Sequence, residues 1–570
     1  MVIFHRIIKF KKNHIGLKMN ASINYLTLIN LNEQIKQWLL SHSIKDNSKN
    51  ILLISYGKKE KRCKVHTLTD ENTNKLVQKA TNFIEKKFLK EKDSISYLKI
   101  DLVKNIEKKS WLDVYEDIQN QKHNNHYRKG ISFDHDFSIC FLEQEIYGNS
   151  IISSKLYNEP NFIDEKNLNN AIKEKYPSIK KKIYLDKIKS VWVFDTTSIF
   201  YDHGELILLQ SGNSENGVRL IEENRKNHIK KMIDQNALFL HNQILDNGQF
   251  IYGYFPAFDN KIKSYNTVRH CTSLYALLET FEVGGNLEYW PKIHLAIQYS
   301  LDNFYKLIDE NTAYMIDSTS SNPEIKLGAN AAAILMLSKY QEITHNNQYQ
   351  RYAEKLANGI LTMVDEKGET IHILEYPTLM IKEKFRIVYY DGEAALALLR
   401  LYQINKNEIL LNTVKLMFDN FISESYEKYH DHWLSYCTNE LTKICPDEKY
   451  YKFGIKNYLN HMSFIKNRKT VYATFLEMMM SAYKMVTRLN KQEYQELFNL
   501  SKFEDLKSLI TLRVEFQRTG FFYPEVAMYM KKPNQVLNSF YVRHDRFRTR
   551  IDDQEHNLSG YIAYYLHFEG

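Results

Sequence analysis

"GANAAAILMLSKY", residues 328–340, would place apolar or small side chains on nearly every face of a helix. A helix apolar all round must be covered on all sides, whereas an amphipathic helix can form a surface layer. The same character returns in "TSLYALLETF" (272–281), "DGEAALALLRLY" (391–402), "HWLSYCTNEL" (432–441), "YATFLEMMMSAYKM" (472–485) and "NLSGYIAYYLHF" (557–568). Between these lie longer amphipathic segments at 224–247, 288–307, 347–365, 406–425, 447–465 and 492–514, rich in Lys, Glu and Asn on their polar side. Six buried helices alternating strictly with six surface helices predict a closed (α/α)6 toroid of six helical hairpins over residues 219–570, with an open solenoid of helix pairs as the competing arrangement.

The rest of the chain reads differently. Over 20–215, "NILLISYG" and "SYLKIDLV" have the short apolar form of strands, and "NKLVQKATNFIEKKFL" repeats apolar residues at helical spacing. "IKSVWVFDTTSIFYDHGELILLQSG" predicts a hairpin turning at "DHG". The fold class expected is therefore multidomain: an N-terminal α+β domain, then the all-α toroid. Residues 1–19 form a basic, acid-free tail without a continuous apolar core or a small-residue cleavage site, so they do not read as a signal peptide.

Composition narrows the function. The chain has 570 residues, a formal charge of +9 spread along its length, and 13% aromatic residues, 40 of them tyrosines. No run of five or six like charges and no Arg/aromatic signature points to nucleic acid. No apolar run reaches the ~18 residues of a membrane span. Five widely spaced cysteines read as reduced thiols of a cytoplasmic protein. Nucleotide-binding glycine motifs are absent, and no cofactor is expected. Oligomeric state is left open.

Each apolar helix begins with a polar cluster: Arg269 and His270; Lys326 and Asn330; Tyr389, Tyr390, Asp391 and Glu393; His430, Asp431, His432 and Trp433; Thr470, Tyr472 and Thr474; Arg548, Asp552, Asp553, His556 and Asn557. In a ring of hairpins the inner helices run parallel, so these clusters would converge on one mouth. Asp391, Asp431, Thr470 and Asp553 are each explained as helix N-caps. The arginines and histidines are not, because the helix dipole disfavours cations there.

The ordered segments "RHCTSLYAL", "GANAAAILML", "YYDGEAALALLRLY", "HDHWLSY" and "RHDRFRTRIDDQEHNLSGY" resemble the bacterial six-hairpin glycosidase-like proteins over about residues 220–570. That resemblance implies a carbohydrate ring held in the funnel on aromatic walls, with inverting hydrolysis, unsaturated-uronide hydrolysis, epimerisation or lyase chemistry. "KGISFDHDFSICFLEQEIYGNSII" faintly resembles the core of AMMECR1-like domains.

Three chemistries stay open. Inverting glycoside hydrolysis needs an acid and a base carboxylate ~6.5–9.5 Å apart; Asp391 or Glu393 would face Asp552 or Asp553 across the ring, with Asp391 as base and Asp553 as acid the leading pair. Arg269, His270, Tyr390, His430, His432, Trp433, Tyr472, Arg548 and His556 would then hold a polar or anionic glycan or glycoconjugate. Epimerisation would use His270 with His432 or His556 as acid and base. No metal is expected, since the histidine spacing matches no recognised ligand pattern. The non-enzymatic alternative is a toroid that grips a peptide, polymer end or partner protein.

Overall fold

The computed structural model describes residues 25–568 except 43–48, 91–94, 155–158, 181, 203–204, 213–214, 222–224, 318–321 and 491. The basic tail at 1–19 lies outside the described residues.

The inner helices are Thr267–Glu279, Leu327–Thr344, Tyr389–Asn405, His432–Ile444, Thr474–Thr487 and Ile551–His567. Each packs against the next and the sixth against the first, so the ring is closed. The solenoid alternative is thereby excluded, and the architecture is the (α/α)6 toroid. The outer layer is Arg225–Asn242, Trp290–Asn303, Gln350–Leu361, Glu408–Ser423, Glu448–Leu459 and Phe503–Arg518. Burial follows the sequence argument: in the second inner helix, every residue from Leu327 to Tyr340 is buried.

Two details differ from expectation. The sixth inner helix starts at Ile551 instead of about residue 557, so Asp552, Asp553 and His556 sit in its first two turns. Strands also persist beyond residue 219. A five-stranded antiparallel sheet joins Tyr305–Leu307, Ala313–Asp317, Glu324–Lys326, Ile373–Glu375 and Ile381–Glu383, and a three-stranded one joins Asn260–Lys261, Gly253–Phe255 and Thr549–Arg550. These strands of two to five residues are too short to show a period of two, so nothing in their sequence announces them. They lead directly into the second and sixth inner helices and so rim the mouth. Gly253 pairs with Arg550 at a spacing only glycine permits, because a Cβ there would lie 2.4 Å from the Thr549 carbonyl oxygen.

The N-terminal region is a seven-stranded antiparallel sheet along the path Lys64–Asp70, Asn50–Gly57, Tyr97–Ser110, Ser190–Asp202, Gly130–Ser132 and Cys140–Phe141, with Glu205–Leu209 also paired to Ser190–Asp202. The last pairing is the predicted hairpin, although two of its turn residues lie outside the described set. Alternation splits the strand faces. Leu52, Ile54, Leu98, Ile100 and Ile199 pack under helices Tyr25–His42 and Thr73–Lys90. Ile51, Leu53, Tyr97 and Val103 pack against Phe522, Met528, Tyr529 and Tyr541 from the toroid. Arg219 ties the two parts with a bidentate pair to Glu525, at 2.8 and 2.7 Å, and a contact to Asp202 at 3.0 Å. The five cysteines are unpaired. No helix among the described residues is long and apolar enough to cross a membrane.

Candidate functional site

Helix caps set the depth of the mouth. Asp431 accepts from the backbone N–H groups of Trp433 (3.0 Å) and Leu434 (3.3 Å), which opens the fourth inner helix and points His432 into the ring. Asn266 accepts from Arg269 N–H at 3.2 Å and opens the first. Asp553 accepts from Arg550 N–H at 2.8 Å and opens the sixth.

The arginine-rich stretch before the sixth helix serves the two aspartates. Asp552 takes Arg550 at 2.7 Å and Arg269, from the first helix, at 3.4 Å. Arg548 spans Asp553, at 3.3 Å, and Asp545. Burial alone would raise Asp552, but Arg269, Arg550 and Arg548 outweigh it and hold this carboxyl below its usual range. Burial and the neighbouring Asp552 charge push Asp553 the other way. Asp552 is thus an ionised partner for Arg269, and Asp553 is a cap.

Deeper in, four helices contribute to one constellation. His432 and His556 meet edge to face with ring centroids 5.2 Å apart. His432 Nδ1 stands 3.3 Å from Asp431, and its Nε2 is buried with no hydrogen-bond partner. His556 Nδ1 lies 2.9 Å from Glu477 and 3.3 Å from Glu555. Glu477 also accepts from the Tyr436 hydroxyl at 3.1 Å. Burial pushes Glu477 up to about 8 against the pull of His432, and pushes Glu555 up to about 7 against the pull of His556. Glu393, from the third helix, is buried with Oε2 unpartnered and is raised well above the usual carboxylate range by burial, eased by Arg269. Tyr252, Tyr389 and Trp433 stand beside these groups: Tyr252 lies in the field of Asp552 and Arg269, and both Tyr389 and Trp433 pack on the His432 ring.

Several expected site residues point elsewhere. Asp391 accepts from the Thr370 hydroxyl and from His372 Nε2, the latter at 3.2 Å. His372 Nδ1 takes the backbone N–H groups of Arg386 and Ile387, so its proton is on Nε2 and is given to Asp391. Asp391 therefore anchors a loop and is not opposed to Asp553. His270 is fully buried, with Nδ1 on the Tyr265 hydroxyl (2.7 Å) and Nε2 on the Ala296 carbonyl (2.9 Å); both nitrogens are occupied, and burial lowers it to about 4. His430 bonds the Asn457 carbonyl at 2.8 Å and stacks on His461, facing the outer layer. Tyr390 does stay at the site, against Glu393 and in the field of Arg269 with its other side on His372, whereas Tyr472 stacks on Phe475 at the rim. Arg269, Tyr390, Glu393, His432, Trp433, Asp552 and His556 are the expected residues that the fold does bring together.

Glu477, Glu555 and Tyr436 were not singled out by sequence, and Tyr389 stood only in the third polar cluster, with no role attached. Glu477 had a usable signal: it is the one acidic residue inside "YATFLEMMMSAYKM", and a carboxylate on an otherwise buried helix needs a partner or a proton. Among the described residues, His432, Glu477 and His556 also offer one ligand atom each within 4.8 Å of one another, a two-histidine, one-carboxylate set that could hold a divalent cation.

No family model matches the chain, and no curated protein sequence matches it. Among solved structures, a D-mannose isomerase matches at 12% identity and a TM-score of 0.45, covering 61% of this chain and 100% of its own. A cellobiose 2-epimerase from Bacillus thermoamylovorans matches at 13% identity and a TM-score of 0.45, covering 60% of this chain and 99% of its own. An α-1,6-mannanase from Salegentibacter matches at 11% identity and a TM-score of 0.41, covering 59% of this chain and 98% of its own. None of these supports the AMMECR1-like resemblance, and similarity this distant says nothing about the reaction.

Proposed function

We propose that the toroid mouth is the active site of a sugar-processing enzyme in which His432 and His556 move a proton at a carbon beside a carbonyl, the chemistry of an aldose isomerase or epimerase. The observation that carries this reading is the histidine pair itself: two imidazoles 5.2 Å apart, each with Nδ1 at a buried carboxylate, one presenting a bare Nε2. A carboxylate at Nδ1 fixes the tautomer and ring orientation, leaving the far nitrogen to take or give the proton. Arg269, drawn to the mouth by Asp552, is the group suited to hold the oxygen on which negative charge develops. Tyr252, Tyr389 and Trp433 supply apolar ring faces next to these polar groups, the pairing that suits a pyranose with its C–H face and its hydroxyl edge.

A second reading rests on Glu393. Its unpartnered oxygen and a titration that burial raises well above the usual carboxylate range suit it to the acid role, and Asp552, held below its usual range, shares Arg269 with it, so the two could serve as acid and base in glycoside hydrolysis. Incubating the full chain with reducing mono- and disaccharides, and following products by NMR, separates the readings. Interconversion of aldose and ketose or of C2 epimers, lost in His432→Asn and His556→Asn, supports the first. Cleavage of a glycosidic bond, lost in Glu393→Gln and retained in the histidine variants, overturns it.

A further inference from the structure

His432 is only 3% exposed, and its Nε2 is buried without a hydrogen-bond partner. Ion pairing accounts for the other nitrogen, which stands 3.3 Å from Asp431, and leaves this one bare. A buried polar atom without a partner is costly, so the position calls for a ligand.

Two further ligand atoms are within reach. Among the described residues, His432, Glu477 and His556 each offer one, and the three atoms lie within 4.8 Å of one another. They come from the fourth, fifth and sixth inner helices, which pack on one another in that order. Ligand spacing along the chain gives no sign of them, because the set exists only in the closed ring.

Each ligand is held from behind by a group that an ion would not need. Asp431, at His432 Nδ1, accepts from the N–H groups of Trp433 and Leu434 at 3.0 and 3.3 Å, and so cannot swing away. The Tyr436 hydroxyl donates to Glu477 Oε1 at 3.1 Å, which leaves Oε2 turned to the histidines, 2.9 Å from His556 Nδ1. Such outer contacts fix the tautomer and orientation of metal ligands. Glu555 stands 3.3 Å from His556 Nδ1 with its Oε2 unpartnered, so a second carboxylate is at hand to balance a dication. Two imidazoles and a carboxylate suit zinc and its neighbours in the first transition row, whereas magnesium and calcium favour oxygen ligands alone. Three protein ligands also leave a fourth position open, unlike a closed structural site. An ordinary His556–Glu477 ion pair is the competing account, and it leaves His432 Nε2 unexplained.

We propose that His432, Glu477 and His556 form a site for one divalent transition-metal ion of the zinc class, with His432 binding through Nε2. A bound ion occupies the nitrogen that takes or gives the proton and draws Glu477 from His556, so it switches turnover off. This second part rests on the histidine-pair reading; the site itself does not.

The test is titration of the full chain, stripped of metal and dialysed, with zinc against a chromophoric chelator in excess magnesium. The expected result is one zinc per chain, weakened about 100-fold or more in His432→Asn and in Glu477→Gln, since each removes a ligand. His430→Asn, whose ring faces the outer layer, should bind zinc as the wild type does. Cobalt(II) in place of zinc should show the intense visible bands of four-coordinate cobalt, and zinc should raise the melting temperature of the wild type but not of the two ligand variants. Glu477→Gln is nearly isosteric, and each variant's own melting transition reports that it is folded. No stoichiometric zinc, zinc that survives both ligand substitutions, or zinc lost in His430→Asn would overturn the site. Sugar turnover that rises with zinc and is lost on chelation would overturn the switch. Zinc bound here in a chain without isomerase or epimerase activity would overturn the histidine-pair reading, and the switch with it, while the site stands.

Discussion

His432 and His556, brought from the fourth and sixth inner helices to a centroid distance of 5.2 Å, each meet a different buried carboxylate: Asp431 at 3.3 Å for the first and Glu477 at 2.9 Å for the second. Residues 124 positions apart in sequence acquire complementary roles only because the ring closes. Their dependence on closure makes the site sensitive to substitutions that disturb helix spacing, and its buried carboxyls leave a mark on stability.

That mark is a pH dependence. Glu477 and Glu555 carry folded-state values of about 8 and 7, above the ordinary 4.5, so the native state binds protons that the unfolded chain has released. Stability from these groups is complete below about pH 4.5 and is lost as pH rises towards 8. Each proton contributes a slope of about 1.4 kcal/mol per pH unit where the two states differ. Melting temperature should therefore fall between pH 5 and 8, and Glu477→Gln, which cannot ionise, should flatten part of that fall. An identical pH profile in the variant would remove Glu477 from this role.

Asp391 gives the contrasting case. It is held by Thr370 and His372 on a loop, away from the histidines, so Asp391→Asn should lower stability by about 1–3 kcal/mol through the weakened buried network while the folded fraction keeps its specific activity. Denaturant melts paired with active-site-normalised rates would show it. A turnover loss without a stability loss would return Asp391 to the chemistry.

Gly392 is where the third and fourth inner helices touch. A Cβ there would lie 2.5 Å from Asp431 Oδ2 and 2.8 Å from Leu434 N, so Gly392→Ala must push the helices apart or displace the Asp431 cap. The expected cost is about 1–3 kcal/mol of stability. Activity should fall as well, because Asp431 sets the His432 ring; unaltered melting and turnover would contradict the packing described.

The toroid should not behave as an independent unit. Phe522, Met528, Tyr529 and Tyr541 form one apolar core with the N-terminal sheet, and Arg219 pairs with Asp202 and Glu525 across the junction. A chain truncated to residues 219–570 should expose this face, bind an apolar dye and aggregate. A monodisperse, cooperatively melting fragment would show that the sheet is dispensable.

How legible all this was in the sequence follows from length scale. The alternation of all-apolar and amphipathic helices fixed the ring, because "GANAAAILMLSKY" and "DGEAALALLRLY" have no face to give to water. The mouth as a meeting place of Arg269, Glu393, His432, Asp552 and His556 followed from that ring. Side-chain direction did not. Asp391 and Glu393 lie two residues apart and so some 200° apart around the helix, and only tertiary packing decides that Glu393 faces Arg269, Asp431 and Glu555 while Asp391 turns to His372. His270 was misassigned for the same reason: its partners Tyr265 and Ala296 come from a loop and an outer helix that no local pattern connects to it. Glu477 was overlooked because it sits inside a helix whose neighbours are all core.

The most direct test of the central claim is solvent exchange. Aldoses that bind the full chain are incubated with it in D2O, and deuterium at the carbon beside the carbonyl is read by NMR. The histidine-pair account predicts enzyme-dependent exchange at that carbon, reduced about 10²–10⁴-fold in His432→Asn and in His556→Asn while both variants keep the wild-type melting transition. Conversion of the sugar with no deuterium at that carbon, or exchange that survives loss of both imidazoles, would contradict it.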